Sequence, residues 1–233
     1  MPAPDAITIQ RTAADFAGSS AAMRISPDLS LETPLWQAGL CRLAGLDEAG
    51  RGAWAGPVYA AAVVLPSGGE ELLAQLPGVR DSKLMTPRQR TFWAEKILGV
   101  AVAWGVGWAG NDEIDTQGIL PATRLAMQRA VEQLGLAPEH LLIDAVRLPA
   151  LKIPQTALVR GDQRSLSIAA ASVLAKTSRD AFMVQMDVQF PGYGFAAHKG
   201  YGTARHQRAL DELGPCPQHR FSFAPLRARS ISA

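Results

Sequence analysis

Two short apolar runs in this sequence end abruptly in carboxylates: Leu43-Ala44-Gly45-Leu46-Asp47-Glu48 and Leu141-Leu142-Ile143-Asp144. Runs of this length with no polar face read as strands buried on both sides, and such strands need helices above and below their sheet. The remaining pattern supplies those helices. Residues 57–65, 101–108 and 156–159 read as further strands, and residues 40–47 as the first. Thr86-Pro87-Arg88-Gln89 is a helix start with a mechanism: Thr86 caps, Pro87 takes the first helical position, and Gln89 completes a capping box for a helix running to about residue 98. Leu120, Met127, Val131 and Leu134 recur at helical spacing before a terminating Gly135. Ile168, Ala171, Ala175 and Phe182 mark one face of a long helix to about residue 186, and residues 203–213 form a last helix stopped by Gly214. Strands interleaved with helices give an α/β layer fold.

Sites in such sheets gather where strands leave the core. Asp47, Glu48 and Asp144 stand at such exits, and Asp162 follows the strand at 156–159 by way of Arg160-Gly161. Any one of these acids reads equally as a cap or a surface carboxylate. Crowded together and ionised, they repel one another, and a hard divalent cation relieves that repulsion. Oxygen-only ligands favour Mg²⁺ or Mn²⁺ over zinc, and the chemistry such a cluster serves is two-metal hydrolysis of phosphodiesters. Asp47 and Glu48, pointing to opposite faces of a strand, share a site only where the strand breaks; Ala49-Gly50-Arg51-Gly52 supplies the break.

Other readings are closed by composition. With 48% apolar and 19% charged residues the chain has material for a sizeable core. Cys41 and Cys216 stand alone, which excludes a metal finger and suits reduced thiols. The longest apolar stretch, residues 55–65, is too short to cross a bilayer, and no signal-peptide pattern opens the sequence, so a cytoplasmic protein without membrane association is expected. The net charge of +2 says little, but residues 195–233 carry six basic residues against two acidic ones, together with His198, His206 and His219. That tail suits a polyanionic partner or a solvated surface equally. Residues 1–38, rich in Ala, Ser and Pro, read as a loosely ordered extension.

The blocks Asp47-Glu48-Ala49-Gly50-Arg51-Gly52, Asp81-Ser82-Lys83, Leu142-Ile143-Asp144, Gly161-Asp162, the run 167–176, His198-Lys199-Gly200-Tyr201-Gly202-Thr203 and His219-Arg220-Phe221-Ser222-Phe223 together resemble bacterial ribonuclease HII, over roughly residues 41–226. The resemblance implies a ribonuclease H-like α/β fold, with a five-stranded mixed sheet flanked by helices and a helical C-terminal portion, in a catalytic domain at residues 39–233. It implies an endonuclease that cleaves the RNA strand of RNA–DNA hybrids and cuts on the 5′ side of single ribonucleotides embedded in duplex DNA, leaving 3′-hydroxyl and 5′-phosphate ends. It implies a monomer holding Mn²⁺ or Mg²⁺ on Asp47, Glu48, Asp144 and Asp162, with Asp180 the rival for the fourth position; Asp180 also reads as an ion pair with Lys176 four residues before it. Gly50 and Gly52 would let the backbone approach the 2′-hydroxyl, and Arg51 would hold a phosphate. By resemblance Tyr201 would stack on the following nucleotide, while Ser82, Lys83 and Lys199 would contact the strand's phosphates. The histidines read as surface residues, or as proton shuttles or phosphate donors, and Trp54, Trp93, Trp104 and Trp108 as residues packed in or near the core. Gly202 stands where many members of that family carry proline.

Overall fold

The structure, a computed structural model, describes residues 26–230. Its centre is one five-stranded mixed sheet built from β1 (Leu43–Ala49), β2 (Val58–Val64), β3 (Ala103–Ala109), β4 (His140–Asp144) and β5 (Gln155–Leu158) in the order β3-β2-β1-β4-β5. β1, β2 and β3 pair antiparallel, and β1, β4 and β5 parallel. The fold expected from the sequence is therefore the fold observed, with strand bounds displaced by one to three residues. Parallel pairing brings the carboxyl ends of β1 and β4 to the same edge, and with them Asp47, Glu48 and Asp144.

Both sheet faces are covered by helices that come unusually close. On one face lies α6 (Leu166–Gln189), whose Ala169-Ala170-Ala171-Ser172 segment is wholly buried. On the other lies α5 (Ile119–Glu132). Glycine makes both approaches: a Cβ at Gly45 would stand 2.1 Å from the Ser167 carbonyl carbon, and one at Gly107 would stand 2.3 Å from the Ala126 oxygen. This explains a correction. The inward positions of β3 are Ala103, Gly105, Gly107 and Ala109, so Trp104 and Trp108 turn to the other face and are 46% and 51% exposed. Of the four tryptophans expected in or near the core, Trp93 is buried there, on α3 (Pro87–Val100), and Trp54 packs half-buried against Met183, Phe195 and their neighbours. The capping box that opens α3 is present in full.

The expected extension at residues 1–38 divides in two. Residues 1–25 lie outside the described residues, while residues 28–37 are ordered, which corrects that part of the expectation. There, α1 (Glu32–Gln37) places the fully buried Glu32 at the start of α6, where its Oε1 accepts from Ser165 Oγ at 2.6 Å and from the Ser167 N–H at 2.9 Å. An anion at a helix N-terminus meets both the free N–H groups and the helix dipole. Two helices unforeseen from the sequence, α2 (Glu70–Gln75) and α4 (Asn111–Gln117), lie in the connections after β2 and β3. The C-terminal portion is helical as expected: α7 (Phe195–His198), α8 (Ala204–Leu213) and α9 (Ala224–Ser230). Among the described residues no helix is long and apolar enough to cross a membrane.

Candidate active site

β1 carries Asp47 and Glu48 on neighbouring positions, ends at Ala49, and turns away at Gly50, whose φ of +96° suits glycine. Asp47 is 1% exposed and sits on the face that meets α6; its Oδ1 accepts the Glu48 N–H at 2.7 Å. Burial, and then the neighbouring Glu48 and Asp144 carboxylates, push the Asp47 pKa well above the ordinary range, against a hydrogen bond from Ser172. Burial also raises Glu48, against the pull of Arg51, whose Nη1 lies 3.2 Å from Glu48 Oε1. Asp144 ends β4, and its Oδ1 accepts the Gly161 N–H at 2.7 Å.

Asp162 lies on a single turn of 3₁₀ helix between β5 and α6, 3% exposed. Burial, then Asp81 and Asp144, push its pKa up to about 6. Lys83 Nζ approaches it to 3.9 Å. Desolvation works against the charge on Lys83, but Asp47, Asp81, Asp162 and Asp144 together outweigh it and hold its pKa above the ordinary lysine value. Asp180, by contrast, is held by Arg90 Nη2 at 3.0 Å and by Lys176, the helix-face pair its spacing predicts.

A cleft of about 530 Å³ lies beside this edge, lined by Glu48, residues 50–52, Ser82, Lys83, Arg90, Lys176 and Tyr201 among others. It thus gathers most of the residues singled out for substrate contact. Lys199 is set apart: with Asp180 it lines a second cavity of about 520 Å³, which shares Arg90, Lys176 and Tyr201 with the first. Arg51, expected to hold a phosphate, is engaged by Glu48. Gly202 is explained by Trp54, whose ring would stand 2.1 Å from a Cβ at that position.

The histidines depart most from expectation. His206 and His219 are 0% exposed and His198 9%, so the surface reading is corrected. The His198 and His206 rings stack at 4.4 Å, and Nε2 of His206 lies 3.0 Å from Nε2 of His219. One set of tautomers satisfies the chain without a charge: His206 donating from Nδ1 to the Tyr201 carbonyl, His219 donating from Nε2 to His206, and His219 Nδ1, which lies 2.9 Å from the Cys216 nitrogen and 3.1 Å from its carbonyl oxygen, accepting the Cys216 N–H. All three are neutral in this arrangement, and burial lowers the pKa of His206 and of His219 to about 4.

Sequence reasoning passed over Asp81, Arg90 and Ser172. Ser172 Oγ lies 2.9 Å from Ser82 Oγ, and Arg90 donates to the Ser82 and Met85 carbonyls, so both brace the turn that carries Lys83. The block Asp81-Ser82-Lys83 was the one available signal for Asp81.

As they stand, the described residues contain no group of three or more His, Cys, Asp or Glu side chains that could hold a metal ion. A hard cation nonetheless fits the donor chemistry. Asp47 Oδ2 and Glu48 Oε2 are buried without a hydrogen-bond partner, a costly state for carboxylate oxygens that a bound cation would relieve.

The Ribonuclease HII family model matches residues 44–226. Ribonuclease HII from Synechococcus sp. (strain JA-3-3Ab) is 55% identical over 203 residues, covering 87% of this chain and 90% of the relative. Among solved structures, ribonuclease H2 from Pyrococcus horikoshii OT3 aligns at a TM-score of 0.70 and 24% identity, over 82% of this chain and 98% of that one. Bst-RNase HIII in complex with Mn²⁺ aligns at a TM-score of 0.59 and 20% identity, over 85% of this chain and 72% of that one.

Proposed function

Because the chain belongs to the ribonuclease HII family and is an endonuclease of that type, we propose that it hydrolyses the RNA strand of RNA–DNA hybrids and cuts on the 5′ side of single ribonucleotides embedded in duplex DNA, leaving 3′-hydroxyl and 5′-phosphate ends. Such an activity serves ribonucleotide removal from DNA and the removal of RNA primers. The observation that carries the reading is the single cleft in which Glu48, residues 50–52, Lys83 and Tyr201 face one another.

Asp47, Glu48, Asp144 and Asp162 would hold Mg²⁺ or Mn²⁺, which supplies an activated water and neutralises charge on the leaving 3′-oxygen. The orphaned oxygens of Asp47 and Glu48 support this, as does the crowding that raises both carboxyls. Asp162 is favoured over Asp180 as the fourth acid, because Asp162 senses Asp144 while Asp180 is occupied by Arg90 and Lys176. Residues 50–52 offer backbone groups to the 2′-hydroxyl, the one group that marks a ribose throughout. Arg51 can move from Glu48 to a phosphate as the strand enters, since its side chain is 41% exposed. Lys83 and Ser82 position the backbone, and Tyr201 offers a ring to the next nucleotide. Lys199, on the far side of Tyr201, contacts the strand beyond it.

The test is a labelled duplex carrying one ribonucleotide. Cutting 5′ of that position with the stated ends is expected, and uniform nicking or no cutting would refute the reading. Asp144→Asn should abolish cleavage while duplex binding, read by anisotropy, persists; unchanged turnover in Mg²⁺ would contradict the ligand assignment.

A further inference from the structure

Among the described residues the two largest fully enclosed side chains are both arginines, Arg179 on α6 and Arg220 between α8 and α9. A buried guanidinium ordinarily has a carboxylate partner, because its charge is costly away from water. Neither of these takes part in the ion pairs of the described residues. The hydrogen bonds they make go to main-chain oxygens instead, while Nη2 of Arg220 is buried without a hydrogen-bond partner. Arg179 donates from Nε to Pro57 at 3.0 Å, from Nη2 to Ala55 at 3.1 Å and from Nη1 to Lys199 at 2.9 Å. Arg220 donates from Nε to Gly56 at 2.8 Å and from Nη1 to Arg51 at 2.9 Å.

Of the two arginines, Arg179 is the one that bonds to both recognition segments. Through Ala55 and Pro57 it holds the strap that continues residues 50–52, and through Lys199 it holds the loop that carries Tyr201. Gly50 rests directly on it, for a Cβ there would lie 1.9 Å from Nε. The Tyr201 ring centroid lies 5.3 Å from its Cζ, within cation–π range. The two segments also touch each other, with the Trp54 N–H donating to the Gly200 carbonyl at 2.8 Å.

We infer that Arg179 is a positioning residue for ribonucleotide recognition, its planar fork fixing the separation between residues 50–52 and Tyr201. The inference rests on the substrate reading given above. A lysine keeps the charge but offers a point donor on a flexible stem, and does not tie three carbonyls in one plane. With the fork gone, each segment still forms, but the distance between the ribose-reading loop and the ring is held less firmly, with the Trp54 and Ala55 N–H groups on the Gly200 carbonyl left to bridge them. A lone ribonucleotide offers one register for both contacts to be met together. A uniform hybrid offers a ribose at every register and is less sensitive to that distance.

The experiment compares kcat/KM on the one-ribonucleotide duplex and on a uniform RNA–DNA hybrid for the unmodified protein, R179K, Y201A and the double variant. R179K should lose about tenfold or more on the first substrate, the scale of a misplaced contact, and under about threefold on the second. In the Y201A background, R179K should leave the ratio of the two unchanged, because both act through the same ring. Hydrogen exchange should quicken at Trp54 and Ala55, the amides bonded to Gly200, while the sheet stays protected. A wild-type ratio in R179K, multiplicative effects in the double variant, or exchange spread across the five strands would overturn the positioning role. Failure of the unmodified protein to cut at a lone ribonucleotide would overturn the substrate reading, and this inference with it.

Discussion

Replacing Gly45 by alanine should damage the enzyme out of proportion to the single methyl added. Gly45 pairs with Val63 and Leu142 in the middle of the sheet and meets the first turn of α6. The new Cβ would lie 2.1 Å from the Ser167 carbonyl carbon, 2.3 Å from its oxygen and 2.5 Å from the Ile168 nitrogen, all backbone atoms that no rotamer change can move. Ordinary contact begins near 3.4 Å, so the start of α6 must retreat from β1 by about 1.3 Å. That start is held by Glu32 and by the Ser165 cap on Ile168, both of which the retreat would strain. Overpacking of this kind costs about 1–3 kcal/mol. Asp47 lies two residues farther along the same face of β1, against Ser172 of the displaced helix, so turnover should fall by about 10²-fold. Gly99→Ala is the control: in the last turn of α3, with nothing within 4 Å of the new methyl, it should gain about 0.5–1 kcal/mol. Urea unfolding of metal-free protein and a cleavage assay read both effects. A Gly45→Ala variant with unaltered stability and turnover, or a Gly99→Ala variant as damaged as it, would refute the reasoning.

Two further outcomes are expected. Glu32→Ala removes the acceptor for Ser165 and Ser167 at the head of α6 and leaves buried donors unpaired, so the urea midpoint should show a loss of about 2–4 kcal/mol; a loss below about 0.5 would mean that α1 is not a clasp. His206 and His219, held near pKa 4 against about 6.5 unfolded, should remain neutral at pH 5 by imidazole ¹⁵N shifts, where a titration near 6.5 would contradict the buried chain of neutral rings. Between those values the unfolded chain binds the extra protons, so each histidine removes up to about 1.4 kcal/mol of stability per pH unit as the pH falls from 6.5 towards 4, and nothing further below that.

What could be read from the sequence follows the range of the forces involved. The Thr86–Gln89 capping box, the strand at residues 58–64 and the stop at Gly214 rest on near neighbours, and the structure reproduces them. The acids at the ends of β1 and β4 were visible because strand ends are local too; that parallel pairing sets them at one edge follows from contacts about a hundred residues apart. Short α1 was invisible because its anchor is tertiary, Glu32 bonding to residues 133 and 135 positions away. Trp104 and Trp108 misled because apolar character marks a side chain as fit for burial without saying which face is buried, and here Gly105 and Gly107 claim the inner one. Arg179 gave no signal in the sequence, because its partners are the carbonyl oxygens of Ala55, Pro57 and Lys199, which carry no residue signature.

That last point has an evolutionary side. A clamp that grips peptide oxygens is blind to the side chains strung between them, so it fixes the path of the strap at residues 51–57 without fixing what stands at its half-buried position Trp54, whereas Ala53, Ala55 and Pro57 are held by burial and Gly50 by the guanidinium pressed against it. Substrate preference could then be retuned at that position on a frame that stays put, and the mutational tolerance of this surface should be set in part by two side chains that never reach it.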